Sequence, residues 1–179
     1  MRKLMIVALV SLLCLGAALL VGCGGSVNQA QQYLQAADAQ YQKLADDSNQ
    51  LATKITSAFS NATDSAKLEA AVAGLNTFLD GMDKKADAAI AEYGKVKPLQ
   101  GVPKYVKYAD MQTELMALIK QATTNLKTMM TQVTSAVKTG DQALIQSLQS
   151  SFQPTFTELS KKISKLEEES AKFKAENNL

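Results

Sequence analysis

Four stretches of this chain repeat apolar side chains at alternating steps of three and four residues, a spacing that suits few folds other than helices packed side by side. In the first, Val27, Ala30, Leu34, Ala37, Tyr41, Leu44, Ser48, Leu51, Ile55 and Ala58 fall on one face of a helix predicted from an N-cap at Ser26 to about Phe59. Such a helix is roughly 50 Å long, and only Ser48 breaks its stripe. Turn and cap residues gather at 60–64, so a second helix is expected from near Asp64. Its seam, Leu68, Val72, Leu75, Leu79, Met82, Ala86, Ala89 and Tyr93, is apolar throughout. Gly74 and Gly81 flank that seam; they either admit a close neighbour or simply cost about 1 kcal/mol each.

Residues 94–103 break the pattern, with Pro98, Gly101 and Pro103 close together. A third helix follows Pro103, carrying Tyr108, Leu115, Ile119, Ala122, Leu126, Met129, Val133 and Ala136, with Gln112 as the polar exception. Gly140 fits the position just past its end and Asp141 caps the next helix. The fourth stripe is Ile145, Leu148, Phe152, Phe156, Leu159, Ile163, Leu166, Ser170 and Phe173. Its spacing slips between Phe152 and Phe156, where Pro154 sits, which predicts a bend over 151–154. The tail beyond Phe173 is expected to fray, with Glu158–Lys162 and Glu168–Lys172 pairs supporting the charged stretch before it. Short, long and short connections predict an all-α, antiparallel up-down-up-down four-helix bundle with long helices and left-handed packing. The alternative is three helices with a fourth hinged away at Pro154.

The N-terminal end has a different character. Arg2 and Lys3 precede an uncharged apolar run over residues 4–21, and Leu20-Val21-Gly22 leads into Cys23, followed by Gly24-Gly25-Ser26. This arrangement resembles the lipobox signal peptide of bacterial lipoproteins. The resemblance implies a diacylglycerol on the Cys23 sulfur, cleavage between Gly22 and Cys23, and acylation, with palmitate for example, of the new amino terminus. An uncleaved membrane anchor is the competing reading, since the run only touches the length a spanning helix needs. Under both readings the rest of the chain is extracytoplasmic. The expected division is a cleaved signal over 1–22, an anchor and tether over 23–26, and a helical domain over 27–179. Cys14 leaves with the signal, so no disulfide is expected. Gly24 after Cys23 lacks the aspartate that the resemblance associates with inner-membrane retention, which implies the outer membrane if the cell has one.

Composition narrows the functional classes. Arg2 and Lys3 account for two of 19 basic residues against 17 acidic ones, so the remainder is neutral and offers nucleic acid no basic face. The chain has no histidine, which removes the commonest general base and the usual nucleophile pairs. With Cys23 lipidated, thiol chemistry goes too. An enzyme is therefore the least favoured class, and no cofactor is expected.

Three weaker patterns carry possible chemistry. Asn76, Asp80, Asp83 and Asp87 line one helical face, oxygens of the kind calcium takes, but a solvated face explains them better beside Lys84 and Lys85. Met82, Met111, Met116, Met129 and Met130 are read as core filler rather than a copper site. Lys95, Lys97, Lys104 and Lys107 have no acid among them from Tyr93 to Ala109. In an up-down bundle tethered at Cys23 this loop returns toward the membrane, where the lysines, with Tyr105 and Tyr108, are candidates for contact with anionic headgroups. The leading expectation is a non-enzymatic interaction or structural module of the cell envelope, with an envelope protein or wall polymer as partner. The alternative is a small-molecule binder with a pocket between helices. What separates the two is whether Ser48, Gln112 and Ser170, the polar interruptions of the seams, meet around a cavity.

Overall fold

The computed structural model describes residues 25–62 and 64–179, and among these there is no strand. They form four helices, α1 (Gly25–Ser60), α2 (Ser65–Gly94), α3 (Pro103–Thr139) and α4 (Gln142–Asn177). The chain is an antiparallel up-down-up-down four-helix bundle, as its stripes predict. The expected signal over 1–22 and the expected anchor, with Leu20, Val21, Gly22 and Cys23, lie outside the described residues. No described helix is long and apolar enough to cross a membrane.

Local chemistry sets the helix ends. The Asp64 carboxylate accepts the Lys67 N–H at 2.8 Å and starts α2. Pro103 opens α3, where its missing N–H costs no helical bond. Gly140 stops α3 at φ 69°, a left-handed conformation that a residue with a Cβ resists. One residue on, Asp141 accepts the Leu144 N–H at 2.9 Å and starts α4.

The fourth helix departs from expectation at three points. It runs unbroken through Pro154. Pro154 and Ser150 are both exposed, so the carbonyl that loses its helical partner is left to water rather than to a dry core. The helix also continues past Phe173 to Asn177 instead of fraying, held where Lys104 donates to the Asn177 carbonyl at 2.7 Å. Glu158 pairs with Lys162 at 2.6 Å, but Lys172 pairs with Glu176 at 3.8 Å rather than with Glu168.

Packing is sequential. α2 lies against α1 and α3, and α4 lies along α3, so the fourth helix is not detached. Along the last seam the bundle is open: among the described residues no Cα of α1 comes within 8 Å of one in α4. Burial follows this asymmetry. Every predicted seam residue of α2 is buried, whereas α1 is buried at Ala30, Leu34, Ala37 and Leu44 but only half-buried at Leu51, Ile55 and Ala58. On α3, Ala122, Met129 and Val133 are half-buried, and a second row, Ala109, Met116, Thr123 and Met130, is buried at steps of seven. That row widens the buried face of α3 beyond the single predicted stripe. At the end of the bundle holding residues 94–103, Val96 and Val102 are buried and close the core.

Candidate functional site

The open seam forms a cleft of about 1010 Å³, at the top of the range usual for small-molecule sites. Leu51 and Ile55 form its α1 side, Phe156 and Ile163 its α4 side, and Ile119, Leu126 and Met129 its α3 floor. Two features of the sequence create it. The facing positions are small, with Ala45, Ala52, Ala122 and Ala171 among the lining residues, so nothing fills the gap. Long polar side chains bridge α1 and α4 and set their separation: Tyr41 donates to Glu167 at 2.8 Å, and Lys174 donates to Asp38.

Those bridges belong to a polar knot drawn from all four helices, which closes one end of the cleft. Asp38 of α1 accepts hydroxyl protons from Tyr93 of α2 at 2.6 Å and Tyr108 of α3 at 3.4 Å, besides the Lys174 ammonium of α4. The Tyr93 and Tyr108 rings meet edge to face, 6.4 Å between centroids, and the Lys174 ammonium lies 5.1 Å from the Tyr108 centroid. Burial pushes all three hydroxyls, of Tyr41, Tyr93 and Tyr108, well above their ordinary range. Neighbouring negative charge, Glu167 for Tyr41 and Asp38 for the other two, pushes the same way. Periodicity alone places the three tyrosines on seams, with Tyr108 and Tyr105 also expected near headgroups, and says nothing of Asp38; both Tyr105 and Tyr108 are instead buried. The available signal is an acid directly beside the seam residue Ala37, a place that Asp47 shares beside Ser48.

The three polar seam residues do come together: Ser48, Gln112 and Ser170 all line the cleft. Ser48 donates to the Leu44 carbonyl and Ser170 to the Glu167 carbonyl, both at 3.0 Å, so each hydroxyl is satisfied within its own helix. Gln112 is different. It is 4% exposed, and its Oε1 has no partner among the described residues. The neighbouring Tyr108 hydroxyl donates to Asp38 at 3.4 Å rather than to this oxygen. The carbonyl oxygen is the group left over.

The remaining sequence candidates resolve differently. The acidic stripe pairs with α3: Lys127 reaches Asp80 and Asp83, each at 2.6 Å, Lys120 reaches Asp87, and Thr123 donates to Asp83. Burial draws the Lys127 ammonium down, but its bonds to Asp80 and Asp83 prevail and leave its pKa raised. Asn76 turns inward beside a shallow hollow between α2 and α3, with its Oδ1 unpartnered. Among the described residues no three or more metal-ligating acids, cysteines or histidines cluster. Met82, Met116 and Met130 are buried and Met111 and Met129 half-buried against the core.

The four loop lysines share one end of the bundle, each with its own contact. Lys95 pairs with Glu92 at 2.5 Å and Lys97 with Asp110 at 2.8 Å; the Lys104 ammonium lies 5.3 Å from the Tyr105 ring centroid and that of Lys107 4.9 Å from the Phe173 centroid. This end meets α1 at Gln31, which donates to Tyr105 at 3.4 Å, and at Tyr33, under Lys95. Both lie roughly 10 Å along the axis from Gly25.

The described residues thus define an antiparallel four-helix bundle, open along one seam, with an apolar cleft and one polar end. Comparison with protein-family models, with curated proteins and with solved structures finds no match to the chain.

Proposed function

We propose that the protein is a non-enzymatic binding protein of the cell envelope, tethered through lipidated Cys23, that holds an elongated apolar small molecule between α1 and α4. The tether rests on the resemblance of Leu20-Val21-Gly22-Cys23 to a lipobox. The binding role rests on one observation above all: a buried amide oxygen without a partner in a largely apolar cleft of about 1010 Å³. A buried acceptor left unmade costs about 1–3 kcal/mol, and apolar walls left facing an open gap forgo the packing that stabilises helix bundles. A ligand offsets both costs. The open seam, rather than the ion-paired outer faces, favours a small molecule over an envelope protein or wall polymer.

The test is binding of an environment-sensitive apolar fluorophore, phenylnaphthylamine, to the purified protein. Ala52→Trp and Ala122→Trp place bulk inside the cleft and are expected to weaken binding at least tenfold with the helical circular dichroism unchanged. Undiminished binding by both folded variants removes the cleft as the site.

A further inference from the structure

The cleft is chemically graded from one end to the other. At the end bounded by Ile55, Met129 and Phe156 its lining is apolar, whereas at the other end stand Gln112, Glu167, Ser170 and Lys174. An amphiphile therefore has only one favourable orientation, with its head at the polar end.

What the polar end asks of that head follows from which groups are already engaged. The hydroxyl donors are spoken for: that of Tyr41 goes to Glu167, those of Tyr93 and Tyr108 to Asp38, and that of Ser170 to a backbone carbonyl. The Lys174 ammonium gives one N–H to Asp38 and lies over the Tyr108 ring, so its charge is already matched by a carboxylate. The acceptors are not. Gln112 Oε1 has no partner, and Glu167, which takes one hydrogen bond from Tyr41, is in no ion pair among the described residues. Charge points the same way, because two carboxylates, Asp38 and Glu167, face one ammonium.

Resting on the cleft reading, we infer that the ligand is an amphiphile whose head donates hydrogen bonds and is cationic or neutral, a long-chain amine or alcohol, seated with that head at Gln112 and Glu167. A carboxylate or phosphate head brings a further anion against acceptors that already lack donors, and removing both from water without pairing is costly. The cleft therefore ranks amine first, alcohol second and carboxylate last.

Three ligands with the same chain, dodecylamine, dodecanol and dodecanoate, are set to displace phenylnaphthylamine at neutral pH. The amine is expected to compete at least tenfold more tightly than the carboxylate, with the alcohol between them. Glu167→Lys should reverse the order of amine and carboxylate. Glu167→Gln, which keeps an acceptor for Tyr41, should erase the preference of amine over alcohol, and it serves if the lysine variant fails to fold. If the fluorophore binds, loses its site in Ala122→Trp, and yet yields to dodecanoate as readily as to dodecylamine, the head-group assignment is overturned while the cleft stands. If the fluorophore does not bind at all, both are overturned.

Discussion

Tyr93 is fully buried with its hydroxyl on Asp38, a place where it must keep its proton. Tyr41, Tyr93 and Tyr108 all have pKa values raised above the ordinary 10.0, by burial first and by adjacent carboxylates second. A raised value means the folded state holds the proton more tightly. The stability it confers is complete below the unfolded value and is lost as pH climbs above it, at about 1.4 kcal/mol per pH unit for each tyrosine. Alkaline titration followed by tyrosinate absorbance and circular dichroism together should show these three ionising only as helix is lost. Ionisation of more than two of the five tyrosines with the helix intact would refute the buried knot. Gln112→Leu probes the neighbouring oxygen. Removing a stranded buried acceptor is expected to leave the stability unchanged or higher, by up to about 1–3 kcal/mol, while narrowing the difference between alcohol and carboxylate ligands. A marked loss of stability would show that the oxygen has a partner after all. Neither feature was fully legible in the sequence. Seam periodicity ranks a tyrosine with a leucine, and only packing reveals that two hydroxyls and an ammonium converge on one carboxylate, whereas Gln112 stands out because it interrupts an apolar row.

At the level of the helices, the repeats and caps were readable because each depends on neighbours within a few positions. The seam of α2 is buried at every predicted position, and Asp64, Gly140 and Asp141 act as the turn chemistry demands. The second buried row on α3 was not readable, since Thr123 is polar and is admitted to the core by donating to Asp83 on α2. The unbroken course of α4 through Pro154 was missed for a related reason: the cost of proline depends on whether water can reach the freed carbonyl, which spacing does not disclose. The glycines of α2 give a direct test of packing. A Cβ built at Gly74 or Gly81 meets nothing within 4 Å, so neither is kept small by a close neighbour. Gly74→Ala and Gly81→Ala should each stabilise by about 1 kcal/mol, or about 2–4 °C in melting temperature for a chain of this size. Gly140→Ala, forced to φ 69°, should instead destabilise by about 1 kcal/mol. Thermal unfolding of the three variants distinguishes these signs, and destabilisation at Gly81 would mean that a neighbouring helix lies closer than the bundle described here.

For the whole molecule, the open seam and the proposed tether fix what faces where. The knot at Tyr41 lies 16 positions along α1 from Gly25, roughly 24 Å, so under the proposed tether the cleft would begin beyond the reach of headgroups, with the lysine loop between it and the membrane. That loop stands roughly 10 Å beyond the start of α1, about one screening length at physiological salt. Its four lysines are not equivalent there. Lys95 and Lys97 are paired with Glu92 and Asp110, whereas Lys104 and Lys107 lie over aromatic rings and carry no carboxylate partner among the described residues. Attraction to anionic lipid, worth about 1 kcal/mol per charge near the surface, should therefore come from the second pair and be small. With lipid-free protein and anionic vesicles at low salt, replacing Lys104 and Lys107 with glutamine is expected to abolish most of any binding. Replacing Lys95 and Lys97 removes two cations but frees two acids, and it should weaken binding as well by leaving the loop neutral. Adding Glu92→Gln with Asp110→Asn should restore binding to both double variants, because each then keeps two uncompensated lysines. Equal binding by the parent and all four variants would leave the loop no part in seating the bundle, and the orientation of the cleft would then rest on the anchor alone.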